Sequence, residues 1–219
     1  MSKLVWDAVG ERLYETGTSN GVLFVQDAKG GYPVGVAWNG LISAKQSPDG
    51  AEPNDIYADN MKYLSLTSAE NFKGSIEAYT YPEEFAQCDG SAAAAPGVYL
   101  GQQPRKPFAL VYSTIVGNDT EYEAHGEKLH IIYNAKASPS ERSYETVGDT
   151  PNALTFSWDF TTLPVPVEGY KPTSYIAIDS TKVKPETFKK IKDVLHGTEE
   201  AESKLPTPDE IITLLKGTE

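Results

Sequence analysis

The stretch from Lys106 to Lys136, KPFALVYSTIVGNDTEYEAHGEKLHIIYNAK, decides the fold class. Phe108, Leu110 and Tyr112 recur at every second position between Lys106 and Val116, the period of a β-strand. The run ends at Gly117-Asn118-Asp119, where turn formers cluster. From Glu127 to Lys136 the alternation returns. Leu129, Ile131 and Tyr133 fall on one face, and Lys128, His130, Ile132 and Asn134 on the other. Two long neighbouring strands predict a mainly β (α+β) protein.

The same period spreads outward. Downstream, Phe156, Trp158 and Phe160 make one aromatic face of a strand over Leu154–Thr162, with Thr155, Ser157, Asp159 and Thr161 opposite. A last strand is expected near Tyr175–Asp179. Upstream, Gly74–Tyr81 places Ile76, Ala78 and Thr80 against Glu77 and Tyr79. Further strands are expected at Lys62–Thr67 and Val34–Asn39. The aromatic face is read as core against an opposing sheet, a β-sandwich.

Irregular segments punctuate these strands. Residues 1–33, broken by Gly17, Gly21, Gly30, Gly31 and Pro33, read as an N-terminal arm with one short strand candidate at Val22–Val25. Ser47–Asn60 holds Pro48, Asp49, Gly50, Glu52, Pro53, Asn54 and Asp55 and reads as a long exposed loop, the kind that is usually functional or mobile. Pro82-Glu83-Glu84-Phe85 opens a short flanking helix with acids in its first turn. SAAAAPG, residues 91–97, reads as a loop.

The C-terminal part changes period. Phe188, Ile191, Val194 and Leu195 have helical spacing between Pro185 and Gly197. A second helix begins with Thr207 as cap and Pro208 at its first position, and Glu210 completes the capping-box spacing. The chain therefore divides into a β domain over 1–183 and a helical extension over 184–219.

Composition narrows the functional classes. A net charge of −12 over 219 residues disfavours a surface that grips nucleic acid, which needs Lys and Arg. Cys88 is the only cysteine, so no disulfide forms within the chain and no cysteine metal cluster is possible. The start shows no secretion signal, and no apolar run is long enough to span a bilayer. His125 and His130 are spaced wrongly for two ligands on one helix face, and His196 suits a helix end. No phosphate loop, dinucleotide fingerprint or nucleophile elbow occurs. No catalytic, cofactor or metal residue is assigned, and the chain is expected not to be an enzyme.

Eight segments carry a resemblance: LVWDAVGERLYETG (Leu4–Gly17), GVAWNGL (Gly35–Leu41), EPNDIYADNMKYL (Glu52–Leu64), IEAYTYPEEFAQCDG (Ile76–Gly90), GQQPRKPFALVYSTIVGNDT (Gly101–Thr120), ASPSERSYETV (Ala137–Val147), TFSWDFTTLPV (Thr155–Val165) and IDSTKV (Ile178–Val183). In this order they resemble the major tail proteins of siphophages and prophages of Gram-positive bacteria. That resemblance implies a tail-tube β-sandwich with a flanking helix. It implies rings, usually hexameric, stacked into a tube whose arms and loops join adjacent rings. DNA passes through the channel without specific binding. The implied partners are other copies of the chain and the tape-measure, distal tail and tail terminator proteins, and the implied location is the virion.

Within that frame Glu77 and Asp159 are the channel-lining candidates, since like charge keeps a polyanion from sticking; an ordinary outer surface is the plainer reading of both. The loop residues Pro48, Asp49, Gly50, Glu52, Pro53, Asn54 and Asp55 are candidates for a ring-to-ring contact. The alternatives are the inner-tube subunit of a contractile injection system, or, from another class, a carbohydrate-binding sandwich module. A hydrolase with paired acids stands third.

Overall fold

The computed structural model describes residues 3–147 and 152–217. Its strands are β1 (Tyr14–Val25), β2 (Gly35–Trp38), β3 (Leu41–Gln46), β4 (Asp49–Gly50), β5 (Pro53–Ala58), β6 (Met61–Thr67), β7 (Glu70–Asn71), β8 (Lys73–Ala78), β9 (Ala92–Ala95), β10 (Val98–Leu100), β11 (Phe108–Asn118), β12 (Tyr122–Ala137), β13 (Phe156–Thr162) and β14 (Tyr175–Asp179). A 3-10 turn covers Glu83–Gln87, and two helices follow the strands, α1 (Pro185–His196) and α2 (Pro208–Lys216). The fold is β-rich, as the alternating patterns predict.

One antiparallel sheet dominates, in the order β2-β1-β11-β12-β13-β8-β3, with β14 also on β12. Only Asn39 and Gly40 separate β2 from β3, yet these strands stand at opposite ends of that order. The sheet must therefore curl until its two ends meet. β12 makes the passage. Its Lys128–Ile132 stretch pairs with β14, and its Ala135–Ala137 end pairs with β13.

The inside of the curl is aromatic. Trp38, Phe85, Phe108, Trp158 and Phe160 pack there with Leu23, Ile76, Leu110 and Ile132. Phe85, on the 3-10 turn, lies at the centre, with ring centroids 4.7 Å from Trp38, 5.0 Å from Trp158 and 5.3 Å from Phe108. The first pair is tilted and the other two are edge-on, the geometry aromatic pairs favour at these separations. Trp38 Nε1 donates to Thr80 O at 3.0 Å, so its one polar atom is satisfied. Arg142 closes the mouth of this core, 5.7 Å from the Tyr81 ring and 5.6 Å from Phe156, with an ion pair to Asp89.

The other face of the sheet is covered as well. Phe188, Ile191 and Leu195 of α1, Leu205 of the connector and Ile211 of α2 pack on Phe24, Ala109, Val111, Leu129, Ile131 and Tyr133. Each such side chain contributes about 1.5–3 kcal/mol, which a helix as short as α1 requires to persist. Tyr133 O–H donates to Pro206 O at 3.0 Å, tying the helical connector to the sheet. The expected capping box of α2 is present: Thr207 Oγ1 accepts from Glu210 N–H at 3.3 Å, and Glu210 Oε2 accepts from Thr207 N–H at 2.8 Å.

Three sequence expectations need correction. Residues 1–33 are not all arm: β1 occupies Tyr14–Val25 and lies between β2 and β11, with Leu23 and Phe24 fully buried. Its glycines sit at exposed or irregular positions, where register shifts separate Thr16, Ser19 and Val22, so they bend the strand without ending it. SAAAAPG is not a plain loop either, because Ala92–Ala95 pairs with Val98–Leu100 across a tight turn. And β11 and β12 are buried on both faces at their centres, so their alternation separates two cores rather than core from solvent.

Candidate assembly surfaces

The expected long loop is largely a projecting hairpin. β5 and β6 pair from Pro53↔Thr67 to Ala58↔Met61. The turn is Asp59-Asn60, with φ of 51° and 61°, the left-handed pair that a two-residue hairpin turn requires and that Asp and Asn tolerate. Asp49 and Gly50 form β4 against β7, and Lys73 Nζ holds Asp49 Oδ2 at 2.6 Å. Pro48 and Glu52 flank these strands, exposed, while Pro53, Asn54 and Asp55 lie within β5. The Pro-Asp-Gly composition concealed the pairing because turn formers stand in the strands as well as between them.

No strand or helix among the described residues packs over this hairpin. β6 is exposed throughout and β5 nearly so. Ile56 pairs with Leu64 and Asn54 with Leu66, which puts Ile56, Leu64 and Leu66 on one face. The opposite face carries a polar cluster beside Tyr57: Asp55 accepts from Ser65 O–H at 2.7 Å and pairs with Lys62 at 2.7 Å. Ile56 is 38% exposed, Leu64 36% and Leu66 56%. Single exposed apolar residues are ordinary; a contiguous set on one hairpin face marks a contact surface. The residues expected at a ring contact, Pro48 to Asp55, are mostly polar, whereas the exposed apolar face is formed by Ile56, Leu64 and Leu66, whose alternation is the signal in the sequence.

The N-terminal segment before β1 is a second such surface. Leu4, Val5, Trp6, Val9 and Leu13 are exposed, Trp6 to 75%. The segment is held by polar contacts instead. Gly10 N–H donates to Asp119 Oδ1 at 2.9 Å, Asn118 Nδ2 donates to Gly10 O at 3.2 Å, and Arg12 lies 3.6 Å from Asp119. The turn between β11 and β12 thus holds the chain while its apolar side chains face outward.

Glu77 and Asp159 come together on one sheet face. Both are exposed. Ser43, Glu77 and Ser157 form one cross-strand row, and Lys45, Ser75 and Asp159 form the next. Ser43 O–H donates to Glu77 Oε2 at 3.2 Å. The face is hydroxyl-rich and of mixed charge, on the side of the strands away from Ile76, Trp158 and Phe160.

Cys88, His130 and His125 sit in structural contacts. Cys88 is buried beside Phe85 and Trp38, and burial pushes its thiol up to about 12. His130 is buried and stacked on Tyr112, centroids 4.7 Å apart. Its Nδ1 lies 2.6 Å from Tyr175 Oη, and its Nε2 lies 2.8 Å from Thr114 Oγ1 and 3.2 Å from Glu15. Thr114 O–H donates to Glu15 at 2.6 Å, so the chain fits a neutral imidazole protonated on Nε2. Burial lowers its pKa from the ordinary histidine value. His125 Nδ1 lies 2.6 Å from Glu121. Among the described residues no three His, Cys, Asp or Glu side chains group as a metal site.

No known family model and no curated protein sequence matches the chain. Among solved structures it is similar to the sheath-tube complex of an extracellular contractile injection system, PVC, in the extended state. That likeness has 12% sequence identity and a TM-score of 0.31, over 80% of this chain and 93% of the other. A likeness at that score is one of broad outline and assigns no function.

Proposed function

We propose that the chain is a structural subunit that self-associates into stacked rings forming a tube, and that it is the tail-tube protein of a long-tailed bacteriophage. The observation that carries self-association is the β5–β6 hairpin, which projects from the body with Ile56, Leu64 and Leu66 exposed on one face among the described residues. The apolar arm at Leu4–Leu13 adds a second surface of the same kind. The resemblance to major tail proteins supplies the ring, the tube and the partners: tape-measure, distal tail and terminator proteins, with DNA passing through the channel.

In this reading the hydroxyl-rich face bearing Glu77 and Asp159 looks into the channel, and the segment Pro48–Asp55 contacts the next ring. The alternative, the inner tube of a contractile injection system, uses the same surfaces, and the sheath-tube complex named above is a machine of that kind. The two differ in what surrounds the tube: a sheath in one, none in the other.

Negative-stain imaging of concentrated purified protein tests the proposal, with hollow rods or rings as the expected result. A strictly monomeric species in sedimentation at every concentration would sink it. Co-assembly with a sheath protein would decide for the injection system.

A further inference from the structure

After β12 the chain leaves the sheet, and residues 138–147 have no regular structure. The base of this segment is pinned. Ser138 N–H donates to Asp159 O at 2.8 Å, and Arg105 Nη1 donates to Ser138 O at 3.2 Å and to Ala137 O at 3.4 Å. Ser140 O–H turns back to Ser138 O at 3.3 Å. From Glu141 to Val147 every residue is exposed. Among these described residues only Arg142 contacts the body through an ion pair or a ring.

The seat of Arg142 is built from parts that belong to the body. The Tyr81 and Phe156 rings stand at 90° to one another with centroids 5.3 Å apart, so they form a corner. The guanidinium lies 5.7 Å from the first centroid and 5.6 Å from the second, within the range at which a cation is drawn to a ring face. The Asp89 side chain, only 8% exposed, supplies the ion pair. Each wall is fixed without help from the segment. Tyr81 packs edge-on to Trp158 at 5.3 Å, and Phe156 stacks on Trp158 at 5.8 Å. Asp89 N–H donates to Phe85 O at 3.0 Å, and its carboxylate also lies 3.5 Å from Arg105. Two apolar walls and one carboxylate suit a flat, weakly hydrated cation better than a compact ammonium.

We propose that residues 138–147 form a strap latched by Arg142 alone, and that Tyr81, Phe156 and Asp89 are a preformed guanidinium site. Arg142 fills it when the strap is closed, and an arginine side chain of another polypeptide fills it when the strap swings out. The hinge is Ser138, held by Arg105 and Asp159 O. The latch side chain is 31% exposed, so water partly screens its contacts and opening is a local event of modest cost. The walls stay in the aromatic core, so the site survives the opening. The strap opens within one subunit, which makes this proposal independent of the tube reading.

Trypsin reads the latch directly. It must take the Arg142 side chain into its own pocket, so it cuts after Arg142 only when the strap is open. Arg12, 55% exposed in the N-terminal segment, is the reference cut in the same digest. In the parent the Arg142 cut should be the slower of the two. Asp89→Asn keeps the shape and removes the charge. It should speed the Arg142 cut about ten-fold and leave the Arg12 cut unchanged, since cleavage follows the open population. Equal rates at both sites in the parent, or an Arg142 rate that Asp89→Asn does not move, overturns the latch. If Asp89→Asn speeds both cuts alike, it has loosened the fold, and a second measurement decides. Arg142→Ala empties the corner without touching its walls. Ethylguanidinium chloride should then change the tryptophan fluorescence saturably through Trp158, while the parent and an equal concentration of ethylammonium chloride show no such change. No saturation in Arg142→Ala, or the same response from the parent or from ethylammonium, overturns the site.

Discussion

The β11–β12 pair and the β5–β6 hairpin are built from the same local material and meet opposite fates. Both are antiparallel, both are rich in apolar side chains, and both pivot on Asn and Asp residues. β11 is buried over most of its length and β6 is exposed along all of it. The difference lies in what the rest of the chain brings to each. Aromatic residues cover one face of β11–β12 and two helices cover the other. Among the described residues no element packs over the hairpin. An alternating pattern thus states that a face must be covered, and leaves open whether the cover belongs to the same molecule.

The widest gap between the two regions should appear in stability. Ile131→Ala, in the helix-covered face of β12, should cost about 2–5 kcal/mol, read as a lowered urea midpoint at constant slope. Gly35→Ala comes next, at about 1–3 kcal/mol. A Cβ there would lie 2.7 Å from both the Phe24 ring and Ser203 Oγ, so the same measurement reports whether the β2 edge tolerates any side chain.

The buried end of β12 should also be sensitive to pH, and the hairpin should not. His130 has its pKa lowered by burial, so the fold favours its neutral form. The unfolded chain therefore takes up the proton first. Stability is complete above the ordinary histidine value and falls as pH drops below it toward the folded value, by at most about 1.4 kcal/mol per pH unit. Urea midpoints at several values between pH 7.5 and 5 should show this slope in the parent and a flatter one in His130→Gln. Equal slopes would remove His130 from the account. Thr207→Ala should cost about 1 kcal/mol through loss of the α2 cap.

Smallest in stability and largest in consequence is the hairpin itself. Leu64→Ser with Leu66→Ser should move the urea midpoint by no more than about 0.5 kcal/mol, while tubes disappear from electron micrographs. A large loss of stability would mean that the hairpin packs on its own subunit, and the contrast would collapse.

Much of the fold was legible because its signals are local. The periods of β11, β12 and β13, the Pro185 and Gly197 limits of α1, and the Thr207–Glu210 box all act within a few residues. What escaped depends on long-range pairing. β1 looked like an arm because its glycines sit where the strand bends, and only pairing with β11 makes Leu23 and Phe24 core. β6 was expected as a strand, but its partner β5 looked like a loop because Pro53, Asn54 and Asp55 stand within it. Glu77 and Asp159 could be placed on polar faces from alternation alone, but their nearness follows from the β8–β13 register, which no local pattern encodes. The bond between Ser203 and Gly35 was beyond reach, since a serine 168 residues from its glycine leaves no mark in either neighbourhood.

Cys88 has a practical corollary. Thiol reagents attack the thiolate, and this thiol is both buried and held protonated up to about 12. At neutral pH the native protein should be blank to maleimide dyes. A single cysteine engineered on the hairpin would then carry a fluorophore without background, and the growth of an assembly could be followed one subunit at a time.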